Sequence, residues 1–222
     1  MRKLQSSSLS SPRNGVSSVT VKEKYGLPLV LIVIFALTRL PGLMPWNFSA
    51  AYALAFCAGV YFPRRMAWWL PLGTLLVTDV LLNVFYYHVP PLNGYMLLTL
   101  AGFAGIVAIG RCFKPQMNWV KLVGGGLLGG ILFYLVSNTA SWFYDPGYAR
   151  TLAGWLQALT VGRPDFHPTT LEFFRNTLLS GGLFTALFVG SMKISEAAES
   201  LKEKEGEPAE ETDGDKPEEA KA

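Results

Sequence analysis

Apolar stretches separated by short polar links fill most of the chain between residues 27 and 192. They fall at about 27–44, 48–63, 66–87, 95–112, 119–138 and 171–192. A tilted helix needs roughly 20 apolar residues to cross a bilayer, and each stretch is measured against that length. The second is short, so it is expected to be tilted or partly buried in protein. The pattern predicts an all-α polytopic membrane protein with six transmembrane helices. Residues 1–24 are Ser-rich and basic, with Pro12 and Gly15, and read as a disordered tail. They do not read as a signal peptide. The apolar run starts late, and no small-residue cleavage site follows it before Pro41 and Pro45. After Ile194 the chain becomes rich in Glu and Lys, with Gly and Pro. Residues 195–222 therefore read as a second disordered tail, after a brief helical extension, flanking a membrane domain at 25–194.

The link between the last two stretches, 139–170, is too long for a simple turn. Leu152, Trp155, Leu156 and Leu159 recur at helical spacing in it, which predicts a short amphipathic helix at the outer surface. Thr169 and Glu172 form a T-x-x-E capping box after Pro168, so the last helix should begin there. Small residues supply close helix packing. Ala51, Ala55 and Gly59 repeat every four positions, as do Ala101 with Gly105 and Ala104 with Ala108. Gly125 with Gly129, Gly126 with Gly130, and Gly182, Ala186 and Gly190 continue the theme.

Charge sets the orientation. Arg2, Lys3, Arg13, Lys22 and Lys24 precede the first stretch, and Arg64 and Arg65 join the second to the third. Arg111, Lys114 and Lys121 bracket the fourth link, and Lys193, Lys202 and Lys204 follow the sixth. With six spans these segments share one side, which the positive-inside rule makes cytoplasmic, with both termini. The slight basic excess lies in loops and tails and implies membrane lipid, not nucleic acid, as the partner. Between Pro28 and Leu171 the only carboxylates are Asp79, Asp145 and Asp165, too few to cover a soluble domain. Cys57 and Cys112 have no metal-ligand spacing and read as small buried hydrophobes. His88 and His167 are loop residues without metal-ligand neighbours, so no metal and no cofactor are expected. No Walker motif appears, so energy for any transport would come from a partner or an ion gradient.

Asp79 lies inside an apolar run. A carboxylate there costs about 2.5–3.5 kcal/mol on insertion scales, so it marks a functional site or a buried ion pair. Arg39, near the end of the first run, poses the same problem. The expected topology puts both at similar depth in the outer half. Asn83 lies one turn beyond Asp79, and Asn47 opens the second stretch. Asn138, Thr139 and Trp142 end the fifth, while Arg175 and Asn176 begin the sixth. Three readings are open. The pair and amides fix helix register, since buried polar groups must be paired whatever else they do. Alternatively they orient a solute in an outward-facing pocket walled by Phe48, Trp142 and Phe174. Catalysis would want a His, Cys or Ser nucleophile or a second carboxylate beside Asp79, and the reading is of a non-enzyme.

These residues resemble an uncharacterised bacterial domain-of-unknown-function family of small membrane proteins. The matching pieces are Arg39-Leu40-Pro41, Asn47-Phe48-Ser49, Ala58-Gly59-Val60-Tyr61 and Thr78-Asp79. Ser137-Asn138-Thr139 with Trp142, Thr151-Leu152-Ala153-Gly154 and Phe173-Phe174-Arg175-Asn176-Thr177-Leu178 follow. The chain departs from the pattern at Ser180-Gly181-Gly182, where the family has an Asp, and in a longer, more polar 157–172. The family is in turn similar, in size, span count and depth of polar site, to the substrate-binding S components of energy-coupling-factor transporters. That likeness implies a bacterial inner-membrane subunit that captures a small polar solute. It also implies a coupling transmembrane subunit and paired ATPases as partners. The rival expectation is a structural or assembly protein whose polar cluster only fixes packing.

Overall fold

The computed structural model describes residues 21–206, and every element in them is helical. α1 (Val21–Thr38) leads through an irregular segment to α2 (Ala51–Tyr61). α3 (Arg64–Leu82) ends in a one-turn π-helical extension, Asn83–Tyr87. α4 (Gly94–Arg111), α5 (Trp119–Tyr144), α6 (Leu152–Leu159) and α7 (Thr170–Gly206) follow. α1 and α7 thus run past the expected domain bounds, and the rest of the two expected tails lies outside the described residues.

Four helical stretches are long and apolar enough to cross a membrane: Arg64–Tyr87, Gly94–Arg111, Trp119–Tyr144 and Thr170–Ala198. They coincide with the last four expected spans, and the chain is a polytopic membrane protein. The expectation of six spans is corrected to four, for two local reasons. α1 has 18 residues, but its first turn carries Lys22, Glu23 and Lys24. It also stops at Thr38, where the backbone passes into turns that run to Pro41 and Gly42. α2 has only 11 residues, because the apolar run before it is held in irregular backbone. The Thr38 hydroxyl accepts from the Ala50 amide at 3.1 Å, and the Ser49 hydroxyl accepts from the Ala51 amide at 3.2 Å.

α2 is apolar on every face, and such a helix must be central. Ala51 through Val60 are buried, and α2 packs against α1, α3, α4, α5 and α7. Its small residues let backbones meet. A Cβ on Gly59 would strike the Val107 carbonyl and lie 2.9 Å from the Gly110 Cα, so α2 and α4 touch through main chain. In α5, Gly126 faces Thr185 of α7 and Gly129 faces Ile106 of α4. The stripe expected in α4 turns out otherwise. Ala101, Gly105 and Ala108 are exposed, and Phe103, Ile106, Val107 and Gly110 form the buried face.

The capping box forms as expected. The Thr169 amide donates to Glu172 Oε2 at 2.7 Å, the Glu172 amide points to Thr169 Oγ1 at 3.4 Å, and α7 starts at Thr170. α6 occupies the place of the expected short helix, but it turns Gly154 and Ala158 inward while Leu152 and Leu156 are exposed. The Trp155 indole donates to Thr139 Oγ1 at 3.0 Å, and the Tyr134 hydroxyl donates to the Leu159 carbonyl, so α6 is pinned across α5. Gly162 ends this unit with φ +74°, a left-handed conformation that favours glycine.

The cationic links gather at one end of the bundle. Arg111 donates to the carbonyls of Gly59 and Phe62 at 3.4 and 3.3 Å, beside Arg64 and Arg65. Lys193 of α7 reaches the Pro115 carbonyl at 3.4 Å.

Candidate functional site

A half-length central helix leaves room above it. The carboxyl end of α2 sits at the cationic end, and 11 residues rise only about 16 Å, roughly half the hydrocarbon thickness. At the other end the remaining helices part around a cavity of about 990 Å³. Ala51 and Tyr52, the first residues of α2, form its floor. The last turns of α3, the first of α4, the last of α5 and the first of α7 supply the walls. The irregular segments 38–49 and 161–168 line its rim. Non-helical backbone at membrane depth is tolerated where protein buries it or where it lines a polar cavity, and 38–49 meets that condition.

Arg39, on the turn that leaves α1, donates from Nη2 to Oδ1 of Asp79 on α3. The two side chains are 21% and 14% exposed. The guanidinium also lies 5.8 Å from the Phe35 ring centroid, a cation–π distance. Both charges line the cavity, as do Asn47, Asn83 and Asn138. Asn83 Nδ2 donates to the Pro91 carbonyl at 3.3 Å and so ties α3 to the link before α4. Asn138 Nδ2 donates back to the Tyr134 carbonyl at 2.8 Å. Asn47 adopts φ +58° on the rim.

The other three expected residues lie elsewhere. Asn176 sits behind the wall, 8% exposed, and its Nδ2 donates to the Trp46 carbonyl at 2.9 Å, which anchors the rim to α7. Arg175 is exposed, since neighbouring positions on a helix cannot share a face. The Trp142 indole donates to the Ala149 carbonyl at 2.9 Å, in a loop whose carbonyls of Trp142, Asp145 and Tyr148 all accept from Arg150. Of the expected apolar walls Phe48 lines the cavity, whereas Phe174 stacks on Tyr134 at 4.2 Å. Cys57 is buried as expected; Cys112 is exposed, which corrects that expectation.

Two features were not expected. Arg163 and Asp145, 18 residues apart, meet at the rim at 3.3 Å, and Arg163 also holds Asp165 at 2.7 Å. The hydrogen bond from Arg163 keeps the Asp165 carboxyl below the usual carboxylate range, and these carboxylates hold the Arg163 guanidinium charged. Burial pushes the neighbouring Tyr148 phenol up. The second feature is a floor of packed rings. Tyr52 stacks on Phe103 with centroids 5.3 Å apart, and both meet Phe133 edge-on at 5.5 and 5.1 Å. Read singly in apolar runs, such rings signal only packing; their convergence needs three helices in register. Chemically the site offers the Arg39–Asp79 ion pair, Arg163 held between two carboxylates at the rim, hydroxyls, amides and rings around one cavity.

No curated protein matches the chain. The family model described as a family of unknown function, DUF6580, matches residues 20–203, which takes in all seven helices from α1 nearly to the end of α7. The chain belongs to DUF6580, a family of unknown function.

Proposed function

We propose that the protein captures a small polar solute in the cavity, as a substrate-binding subunit of a membrane transporter. The observation that carries this reading is the cavity itself, about 990 Å³ with polar groups converging from five segments. Small-molecule sites occupy roughly 300–1,000 Å³ and fix orientation with a few placed polar groups on a mostly apolar lining. Arg64, Arg65, Arg111, Lys114 and Lys193 all lie at the opposite end, so the positive-inside rule argues that the cavity faces away from the cytoplasm. The likeness to S components argues for a coupling transmembrane subunit and ATPases as partners.

A second reading has its own support. The amides of Asn83 and Asn176 donate to backbone carbonyls of other segments, and Arg39 is closed on Asp79. That is how interhelical glue behaves in a structural or assembly protein. Native mass spectrometry of the gently purified protein separates the two. A retained small molecule, or a stoichiometric membrane partner with an ATPase, supports capture. A bare chain whose melting temperature no polar metabolite raises overturns it, because a ligand that binds the folded state alone must stabilise it.

A further inference from the structure

The lining narrows the class of ligand. Twelve of the 39 residues around the cavity are Phe, Tyr or Trp, against 13% of the chain, and six of its nine tyrosines are among them. Aromatic side chains also crowd the exposed surface at this end of the bundle, as at Phe85, Phe143 and Tyr144, so what distinguishes the cavity is the arrangement of its rings. The rings come from α2, α4 and α5 and lock one another, with Tyr52 and Phe103 only 6% and 4% exposed. The floor is therefore rigid but its ring faces are spent on one another, and the rings open to the cavity are those of wall and rim, Tyr86, Tyr95 and Trp46.

The formal charges of the lining cancel. Arg39 is bonded to Asp79 and Arg163 to Asp145, and these four are the lining residues that carry full charge. The second carboxylate on Arg163, Asp165, is 58% exposed and outside the lining, so a solute with a net charge would lose hydration in the cavity and meet no unpaired counter-charge on its walls. A saturated polyol would set hydroxyls against ring faces that cannot pair them. A flat ring stacks on aromatic faces and keeps its polar atoms at the edge. Edge groups would find Thr99, Ser137 and Asn138 on the walls.

We propose that the cavity takes a planar, net-neutral heteroaromatic compound held above the rigid Tyr52–Phe103–Phe133 floor and stacked on the exposed wall and rim rings, Tyr95 and Trp46. The proposal rests on reading the cavity as a solute pocket and names the class of that solute. Tyr95, in the first turn of α4 and 62% exposed, is a wall residue whose change spares the core. The test titrates the full chain in detergent with pyridoxine, adenine and lumichrome, and with myo-inositol, glycine betaine and choline as saturated controls. Melting temperature and intrinsic fluorescence are followed. At least one heteroaromatic probe should raise the melting temperature with concentration. Tyr95→Leu should weaken that probe about tenfold, while Tyr95→Phe keeps it within about twofold, as expected for ring stacking. Should Tyr95→Leu not fold, Trp46→Leu at the exposed rim gives the same readout. Binding of a saturated control with no response to the ring compounds overturns the ligand class and leaves the pocket reading standing. Equal loss in Tyr95→Leu and Tyr95→Phe also overturns it, by assigning the effect to the hydroxyl. If no probe binds, this inference fails, and the retained-ligand measurement decides the pocket reading separately.

Discussion

Arg39 and Asp79 give the sharpest test of how the site is held. Each side chain is mostly shielded, at 21% and 14% exposure, and each is the other's ionic partner. At an effective dielectric constant near 20, two charges about 4 Å apart attract by about 4 kcal/mol. Removing one partner of a buried pair costs about 3–5 kcal/mol, since the survivor stays desolvated. Arg39→Leu and Asp79→Leu should each lose stability in that range, but not equally. A lone carboxylate can shed its charge by taking up a proton, whereas a lone guanidinium stays charged. Asp79→Leu should therefore be the worse of the two, and the Arg39→Leu loss should shrink at acid pH. The double variant strands nothing, and replacing buried pairs by apolar groups is often neutral or stabilising. It should return to within about 1 kcal/mol of the parent. Reversible unfolding of all four proteins in detergent closes the double-mutant cycle. A double variant as unstable as the sum of the singles would refute the pairing. One that folds well yet binds no solute would assign the pair to the site as well as to the scaffold.

Four further outcomes are expected. Cysteines placed near Gly94 and near Gly162 should react with an impermeant reagent from outside the cell and one near Lys114 should not; the reverse pattern would invert the proposed orientation. Asn176→Ala should cost about 1 kcal/mol, because it leaves the buried-side Trp46 carbonyl without its donor, and should speed hydrogen exchange at the rim; Asn138→Ala should instead spare stability and blunt the response to any ligand. Gly110→Val, whose new Cβ would strike the Phe56 carbonyl, should destabilise by at least about 2 kcal/mol, while Gly105→Ala, inside α4 with nothing within 4 Å, should leave the melting temperature unchanged or raise it, by up to about 1 kcal/mol of stability. The folded-state pKa of Asp165 is depressed, so its contribution is complete above the unfolded value of about 4 and is lost as pH falls through the lower folded value; the protection factors of amides in 161–168, with the intrinsic pH dependence of exchange divided out, should be unchanged from pH 7 to 5, fall below pH 4, and lose that dependence in Arg163→Gln.

The spans that cross the full thickness were legible because hydropathy over some 20 residues is a strong, local signal. Residues 48–63 misled for the same reason: the run is apolar throughout, but its helix cannot begin before Ala51. That start is fixed by Thr38 and Ser49, across 12 and 2 residues of chain, and hydropathy is blind to such bonds. Small-residue stripes failed in α4 because spacing identifies a face and not its neighbour. Ala101–Gly105 and Phe103–Val107–Gly110 are both helical faces, and only the approach of α2 chooses between them. Charges inside apolar runs were legible at once, since Arg39 and Asp79 stand out against their surroundings and few arrangements can satisfy both. Arg163 and Asp145 lie 18 residues apart with no local pattern to pair them, and only the fold-back through α6 joins them.

The short α2 links these outcomes. A full-length central helix would fill the axis of the bundle and leave the polar ends of α3, α5 and α7 nothing to line. Because α2 stops half-way, the chain must descend to it through irregular backbone, and that backbone needs partners. Thr38, Ser49 and Asn176 satisfy three of its groups, and Arg39 enters on the same segment to meet Asp79. The hydrogen-bonding groups that look like glue are thus the means by which the fold keeps a cavity open at that depth. The structural and binding readings divide over what that open volume is for. A protein needing only register could have closed it with a few more helical turns, at less cost in buried polar groups.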